Sequence, residues 1–206
     1  MNVKIYVEGG GGHNKVLDTA CRRGFREFFR KAGLEGRMPS VVACGGRSSA
    51  YDSFRTSHEN AGNDDFPILL VDSEAPVATL DPWEHVRRRT GDMWQRPGGA
   101  SPDQLHLMVQ AMEAWFHADK GKVQEYYGQG FQLTALSRRP DIDNIPKRDL
   151  FAGMKLATSA CPTKGEYSKG GHSFEILAII DPAKVRASSP VHAGRLLDAL
   201  DRMCVP

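Results

Sequence analysis

The chain has 206 residues, 40% of them hydrophobic, with 27 Lys and Arg against 25 Asp and Glu and a formal net charge of +2. That length and apolar content exclude wholesale disorder and suit one globular unit of ordinary size. No run approaches the roughly 18 apolar residues of a membrane span.

The charge is unevenly spread. Thr56 to Val86 holds seven acidic residues and neither Lys nor Arg, so that stretch carries −7 and the remainder +9. Such a stretch is either a solvated acidic loop or a place to hold a cation beside a surface that attracts phosphate.

The elements follow in chain order. Val3 to Val7 (VKIYV) is a β-branched and aromatic run before Gly9 to Gly12, which predicts a buried strand and a turn. From Asn14 to Ala32, Leu17, Cys21, Phe25, Phe28, Phe29 and Ala32 recur at helical spacing, with Gly33 as a stop. Arg22, Arg26 and Arg30 form a basic stripe along that helix. Ser40 to Ala43 reads as a second strand. A second helix is expected from a cap at Ser48 or Ser49 to about Asn60, with Tyr51 and Phe54 facing inward. Pro67 to Val71 (PILLV) has the continuous apolar character of a central strand buried on both faces.

Residues 75–103 hold four prolines and the run Arg87-Arg88-Arg89, the pattern of a long irregular insertion. Leu105 to Val109 predicts a fourth strand, followed by helices over Gln110–Asp119 and Val123–Tyr127. Beyond residue 130 the signals are helical. One helix starts at Pro146, another spans His172–Ile180 after a polar loop, and a last one spans Pro190–Met203 with Ser189 as its cap. The expected architecture is α/β: a parallel central sheet flanked by helices over residues 1–130, with a helical C-terminal part over 131–206 packed on it.

Three acids fall where an open α/β sheet places its site, at the carboxyl ends of strands. Glu8 follows the first strand; Asp72 and Glu74 follow the central one, and strand alternation predicts that they share a side. Carboxylates gathered in this way call for a cation, and Mg²⁺ or Mn²⁺ suits such oxygen donors. Glu113 is an acid among apolar and aromatic neighbours, so if buried it needs a partner. Gly9 and Gly10, before a basic helix, are candidates to cradle phosphate through backbone N–H groups, although neither a Walker A loop nor GxGxxG is present. Lys169 and His172 lie in a flexible cationic loop suited to phosphate binding or proton shuttling, while Lys147 and Arg148 open another helix. The four cysteines, Cys21, Cys44, Cys161 and Cys204, never form CxxC and read as small apolar residues of a reducing cytoplasm.

Taken together, YVEGGGG (6–12), CRRGFREFFRKAG (21–33), VVACGGR (41–47), LLVDSEAPV (69–77), HLMVQAMEAWFHAD (106–119), IPKRDL (145–150) and YSKGGHSFEILAIIDPAKVRASSP (167–190) resemble a bacterial Toprim-like family of unknown function. This family is similar to RloB and more distantly to the Toprim nucleases of OLD-type proteins. The resemblance implies a Toprim-like core in which Glu8, Asp72 and Glu74 bind Mg²⁺ for phosphodiester cleavage, with Glu113 as a second-metal candidate. Glu74 stands where the wider pattern has Asp, and His13 where relatives often carry an acid.

It further implies a phage-defence nuclease acting on DNA or RNA, including tRNA, beside an AAA- or ABC-type ATPase partner; the composition adds the expectation of a cytoplasmic protein with no membrane partner. Gly9, Gly10, Arg22, Arg26, Arg30, Lys169 and His172 are the candidate contacts to nucleic acid. The alternatives are a non-catalytic module that docks on the ATPase and an enzyme of nucleotide phosphoryl transfer.

Overall fold

A computed structural model describes residues 1–12 and 14–205, so His13 lies outside the described residues. Four strands, β1 (Asn2–Val7), β2 (Ser40–Ala43), β3 (Asp65–Asp72) and β4 (Leu105–Met108), form one all-parallel sheet in the order β2-β1-β3-β4. The chain leaves β1 toward one edge, then crosses back to build the other. The β1/β3 boundary is therefore the point where strand order reverses, the place where open α/β sheets leave a crevice at their carboxyl ends.

Both faces of the sheet are covered, and the pleat sorts the side chains between them. Val3, Ile5 and Val7 with Ile68 and Leu70 enter one core, whereas Tyr6, Leu69 and Val71 enter the other. The first core receives α1 (Lys15–Phe29), through Cys21, Phe25, Phe28 and Phe29, and is continuous with the C-terminal helices. Asn14 caps α1 by accepting from the N–H groups of Val16 and Leu17 at 3.0 and 3.3 Å. A π-helical turn, Arg30–Leu34, extends α1 to Gly33, whose φ of 93° ends it as expected.

The second core is built from α2 (Arg47–Glu59) and from residues 75–103, which are less irregular than expected. They contain α3 (Pro82–Arg88) and bury Trp83, Val86, Trp94 and Ala100 against the sheet.

Several helix boundaries differ from expectation. Neither Ser48 nor Ser49 caps α2; Gly46 precedes it and Arg47 is its first residue. The expected helix over 110–119 shortens to α4 (Glu113–Ala118), because Gln110 has φ 63° and cannot begin a right-handed helix; α5 (Lys120–Tyr127) follows it.

After α6 (Lys147–Thr158), α7 (Lys169–Ile179) starts three residues before His172, so Lys169 belongs to a helix and not to a flexible loop. Asp181 then caps an unexpected α8 (Pro182–Ser188) with Pro182 in its first turn, and α9 begins at Ala193, not Pro190 (Ala193–Met203). Ser189 still serves the start of α9, accepting from the Ala193 N–H at 3.1 Å. Among the described residues no helix is long and apolar enough to cross a membrane.

Candidate functional site

Glu8, Asp72 and Glu74 each offer a carboxylate oxygen, and these atoms all lie within 4.8 Å of one another. Glu8 follows β1 directly and Asp72 ends β3, the adjacent central strands, so parallel pairing alone brings them together. The Asp72 N–H also donates to Glu8 Oε2 at 3.2 Å.

Glu74 reaches the group by a different route from simple alternation. The strand stops at Asp72, and Glu74 takes φ 65°, a left-handed conformation uncommon for a non-glycine residue. Its N–H is held by the Gln110 carbonyl at 3.1 Å, and the Gln110 N–H in turn by Ser73 Oγ at 2.7 Å. Gln110 is itself left-handed. Two strained residues therefore brace each other beside the carboxylates, and such backbone persists only where the surroundings over-determine it.

Each carboxylate has its own cation, supplied by a different helix. Arg47 on α2 lies 3.4 Å from Glu8 Oε2, Lys169 on α7 lies 3.2 Å from Asp72 Oδ2, and Lys147 on α6 lies 2.5 Å from Glu74 Oε2. The other Asp72 oxygen accepts from the Met112 N–H at 2.8 Å, which fixes its orientation.

Burial, reinforced by the Asp72 charge and opposed by Arg47 and Lys169, lifts the Glu8 carboxyl from 4.5 to about 7. For Lys169 burial works against the charge, but Asp72, Glu113 and Glu8 outweigh it and raise its pKa above the ordinary lysine range.

Glu113 lies fully buried behind this group. The Tyr167 hydroxyl donates to its Oε1 at 2.6 Å, and its Oε2 has no protein partner. Burial first, and then the Asp72 charge, raises its pKa above the usual carboxylate range.

The remaining candidates divide. Gly9 and Gly10 line the cleft, but the Gly9 N–H is already donated to Gly45 O at 3.0 Å and the Gly11 N–H to Asp18 at 2.9 Å. The first is half of a Gly9–Gly45 bridge that demands glycine: Gly45 has φ 72°, and a Cβ there would fall 2.7 Å from the Gly12 Cα. Arg22 and Arg26 are exposed on α1 and Arg30 on the π-helical turn that follows it, and none of them lines the cleft; Arg30 pairs with Glu27 at 3.0 Å. His172 is not brought to the carboxylates. Its Nδ1 accepts from the Ser168 N–H at 3.1 Å, and its ring packs among Tyr126, Tyr127 and Tyr167.

Arg47, Asp92, Gln110 and Tyr167 are site residues that the sequence does not single out, and Lys147 stands in it only at the start of a helix. Arg47 follows a glycine pair at the carboxyl end of β2, a position that could have drawn attention to it. The others carry no local signal.

The donor set fits a hard divalent cation. It consists of carboxylate oxygens, and opposite ligands of an octahedral Mg²⁺ stand about 4.2 Å apart, so the spread of the three atoms closes with small side-chain movements. Glu113, expected as a further metal ligand, is not one of the three acids that lie within 4.8 Å of one another, although its buried Oε2 has no protein partner.

An all-parallel sheet with three carboxylates at its reversal point defines an α/β protein with an acidic site at the carboxyl edge. The chain belongs to the family described as Domain of unknown function (DUF4276), which matches residues 7–201. No curated protein and no solved structure matches it significantly.

Proposed function

We propose that the protein is a Mg²⁺- or Mn²⁺-dependent Toprim-like nuclease that cleaves phosphodiester bonds. The observation that carries this reading is the convergence of Glu8, Asp72 and Glu74 within 4.8 Å at the β1/β3 boundary, ringed by Arg47, Lys147 and Lys169. Carboxylates and cations interleaved at one point match what a phosphodiester needs: negative groups for a divalent ion and positive groups for phosphate oxygens.

Glu8, Asp72 and Glu74 hold the ion, which when bound supplies charge stabilisation and lowers the pKa of water. Lys169 and Lys147, released from Asp72 and Glu74, turn to phosphate oxygens. Arg47 stays in place, since Asp92 holds it at 2.7 Å through two bonds, and keeps Glu8 oriented. In the metal-free protein the Glu8 carboxyl, with its pKa near 7, accepts a proton near neutral pH, and a bound ion would hold it ionised as a ligand. The resemblance to Toprim-like defence proteins supports a phage-defence role in the cytoplasm with an AAA- or ABC-type ATPase, on DNA or RNA.

The test is incubation of the protein, alone and with any neighbouring ATPase, with plasmid, single-stranded DNA and total RNA plus Mg²⁺ or Mn²⁺. Cleavage that disappears in Asp72→Asn is the expected result. Defence activity retained by both Glu8→Gln and Asp72→Asn would replace the nuclease with a docking module. Consumption of free nucleotide with polymers intact would replace it with nucleotide phosphoryl transfer.

A further inference from the structure

The carboxylate site opens into a cleft of about 320 Å³ with two kinds of lining. Glu8, Asp72 and Lys169 supply the polar part, while Leu17, Met112 and Phe174 supply an apolar part beside it. Between them run glycines: Gly9 and Gly10 after β1, Gly45 after β2, and Gly170 in the first turn of α7. With no side chains the glycines leave a smooth floor. At Gly10 a Cβ would fall 2.5 Å from Asp18 Oδ1, and at Gly9 it would fall 3.1 Å from the Phe174 ring.

Half-buried Leu17, in the first turn of α1, brings hydrophobic surface into the cleft beside the charged groups. A site that contacts only a sugar-phosphate backbone has no use for that surface, because phosphates and sugars are recognised by charge and hydrogen bonds.

We infer that the cleft is a subsite for one unpaired nucleotide: its phosphate faces Asp72 and Lys169, and its base lies against Leu17, Met112 and Phe174. The inference rests on the nuclease reading and narrows its substrate to single-stranded segments, loops or frayed ends. The volume lies at the small end of ligand pockets, which span ~300–1,000 Å³, and suits a single nucleotide. In an intact duplex the base is stacked and paired, and it reaches such a wall only after leaving the stack. DNA and RNA share this chemistry, and the test includes both.

Gly170→Leu is the informative variant. Gly170 is exposed, its backbone is not left-handed, and a Cβ there would meet Leu17 at 4.0 Å in ordinary contact. The added side chain therefore bridges to Leu17 and fills the apolar half, with Glu8, Asp72 and Glu74 unchanged. The measurements are calorimetric binding of adenosine 5′-monophosphate, inorganic phosphate and Mn²⁺, together with cleavage of matched single-stranded and blunt duplex DNA and RNA, alone and with any neighbouring ATPase.

The nucleotide is expected to bind wild type at least about tenfold more tightly than inorganic phosphate, and Gly170→Leu to erase that advantage while Mn²⁺ binding stays the same. Single strands should be cut at least about tenfold faster than duplexes, with the variant raising KM for the single strand. Leu17→Ala, which removes wall without filling the cleft, should also weaken the nucleotide and spare phosphate.

Nucleotide binding without cleavage of any polymer supports the subsite and overturns the nuclease. Metal-dependent cleavage with duplex and single strand equal, and Gly170→Leu unaffected, overturns the subsite and leaves the nuclease. Absence of both nucleotide binding and cleavage overturns the two together.

Discussion

Arg47 holds Glu8 from 39 residues away in the chain, at 3.4 Å, and is itself clamped by Asp92 through two bonds of 2.7 Å. Its guanidinium also donates to the Asp72 carbonyl and lies over the Trp94 ring at 4.7 Å; Trp94 in turn stacks on Tyr51 at 4.5 Å. One side chain thus ties the ends of β1 and β3 to the segment that covers the second face of the sheet.

Removal of that side chain should cost stability as well as activity. The Asp92 side chain is 1% exposed, so Arg47→Met leaves a buried carboxylate short of its main partner. Breaking such a pair costs about 3–5 kcal/mol, and Arg89, 2.8 Å from Asp92, should hold the loss near the lower end. Urea unfolding of wild type, Arg47→Met and Arg47→Lys measures it. Equal midpoints for all three would show that the clamp contributes nothing.

The Glu8 carboxyl makes stability depend on pH. A folded-state pKa of about 7 against 4.5 favours the protonated form, so its contribution is complete below pH 4.5 and lost as pH rises through about 7. The loss amounts to about 3 kcal/mol. Without divalent ions, wild-type stability should fall across that window and Glu8→Gln should escape this part of the fall. Mn²⁺ affinity should rise over the same range, because the ligand must be ionised. Parallel stability–pH curves for the two proteins would refute the assignment.

Lys147 competes with a divalent ion for Glu74. The pair is partly exposed, at 29% and 22%, so Lys147→Ala should change stability by under about 1 kcal/mol. It should tighten Mn²⁺ binding in calorimetry and weaken polymer binding. Weaker Mn²⁺ binding in the variant would mean that Lys147 organises Glu74 and does not compete for it.

Tyr167 is the partner that makes the buried Glu113 tolerable. Tyr167→Phe removes the bond to Oε1 and leaves both carboxyl oxygens without a protein partner, at a cost of about 1–3 kcal/mol. If Glu113 is a second metal donor, added Mn²⁺ should stabilise wild type more than Glu113→Gln in thermal unfolding. Equal stabilisation would remove Glu113 from the donor set.

The fold was readable along the chain wherever local physics decides it. VKIYV and PILLV become β1 and β3 because apolar runs of that length bury both faces of a parallel sheet, and the spacing of Cys21, Phe25, Phe28 and Phe29 makes one face of α1. Backbone conformation was less readable at Gln110 and Glu74. Neither residue type favours positive φ, and only their mutual bracing holds them there. Likewise, the sequence around Lys169 reads as a loop because its Gly-Gly neighbours weaken the helical signal, whereas packing draws them into α7.

The sequence by itself therefore determined the strands, the parallel crossovers and the placement of Glu8 and Asp72 at adjacent strand ends. Only the tertiary structure decided which cations meet those acids, and that Glu113 lies buried behind them with Tyr167. The physical reason is range. Periodicity encodes contacts within a helix or strand, whereas Lys169 reaches Asp72 across 97 residues and Lys147 reaches Glu74 across 73, distances closed only when the C-terminal helices pack on the sheet.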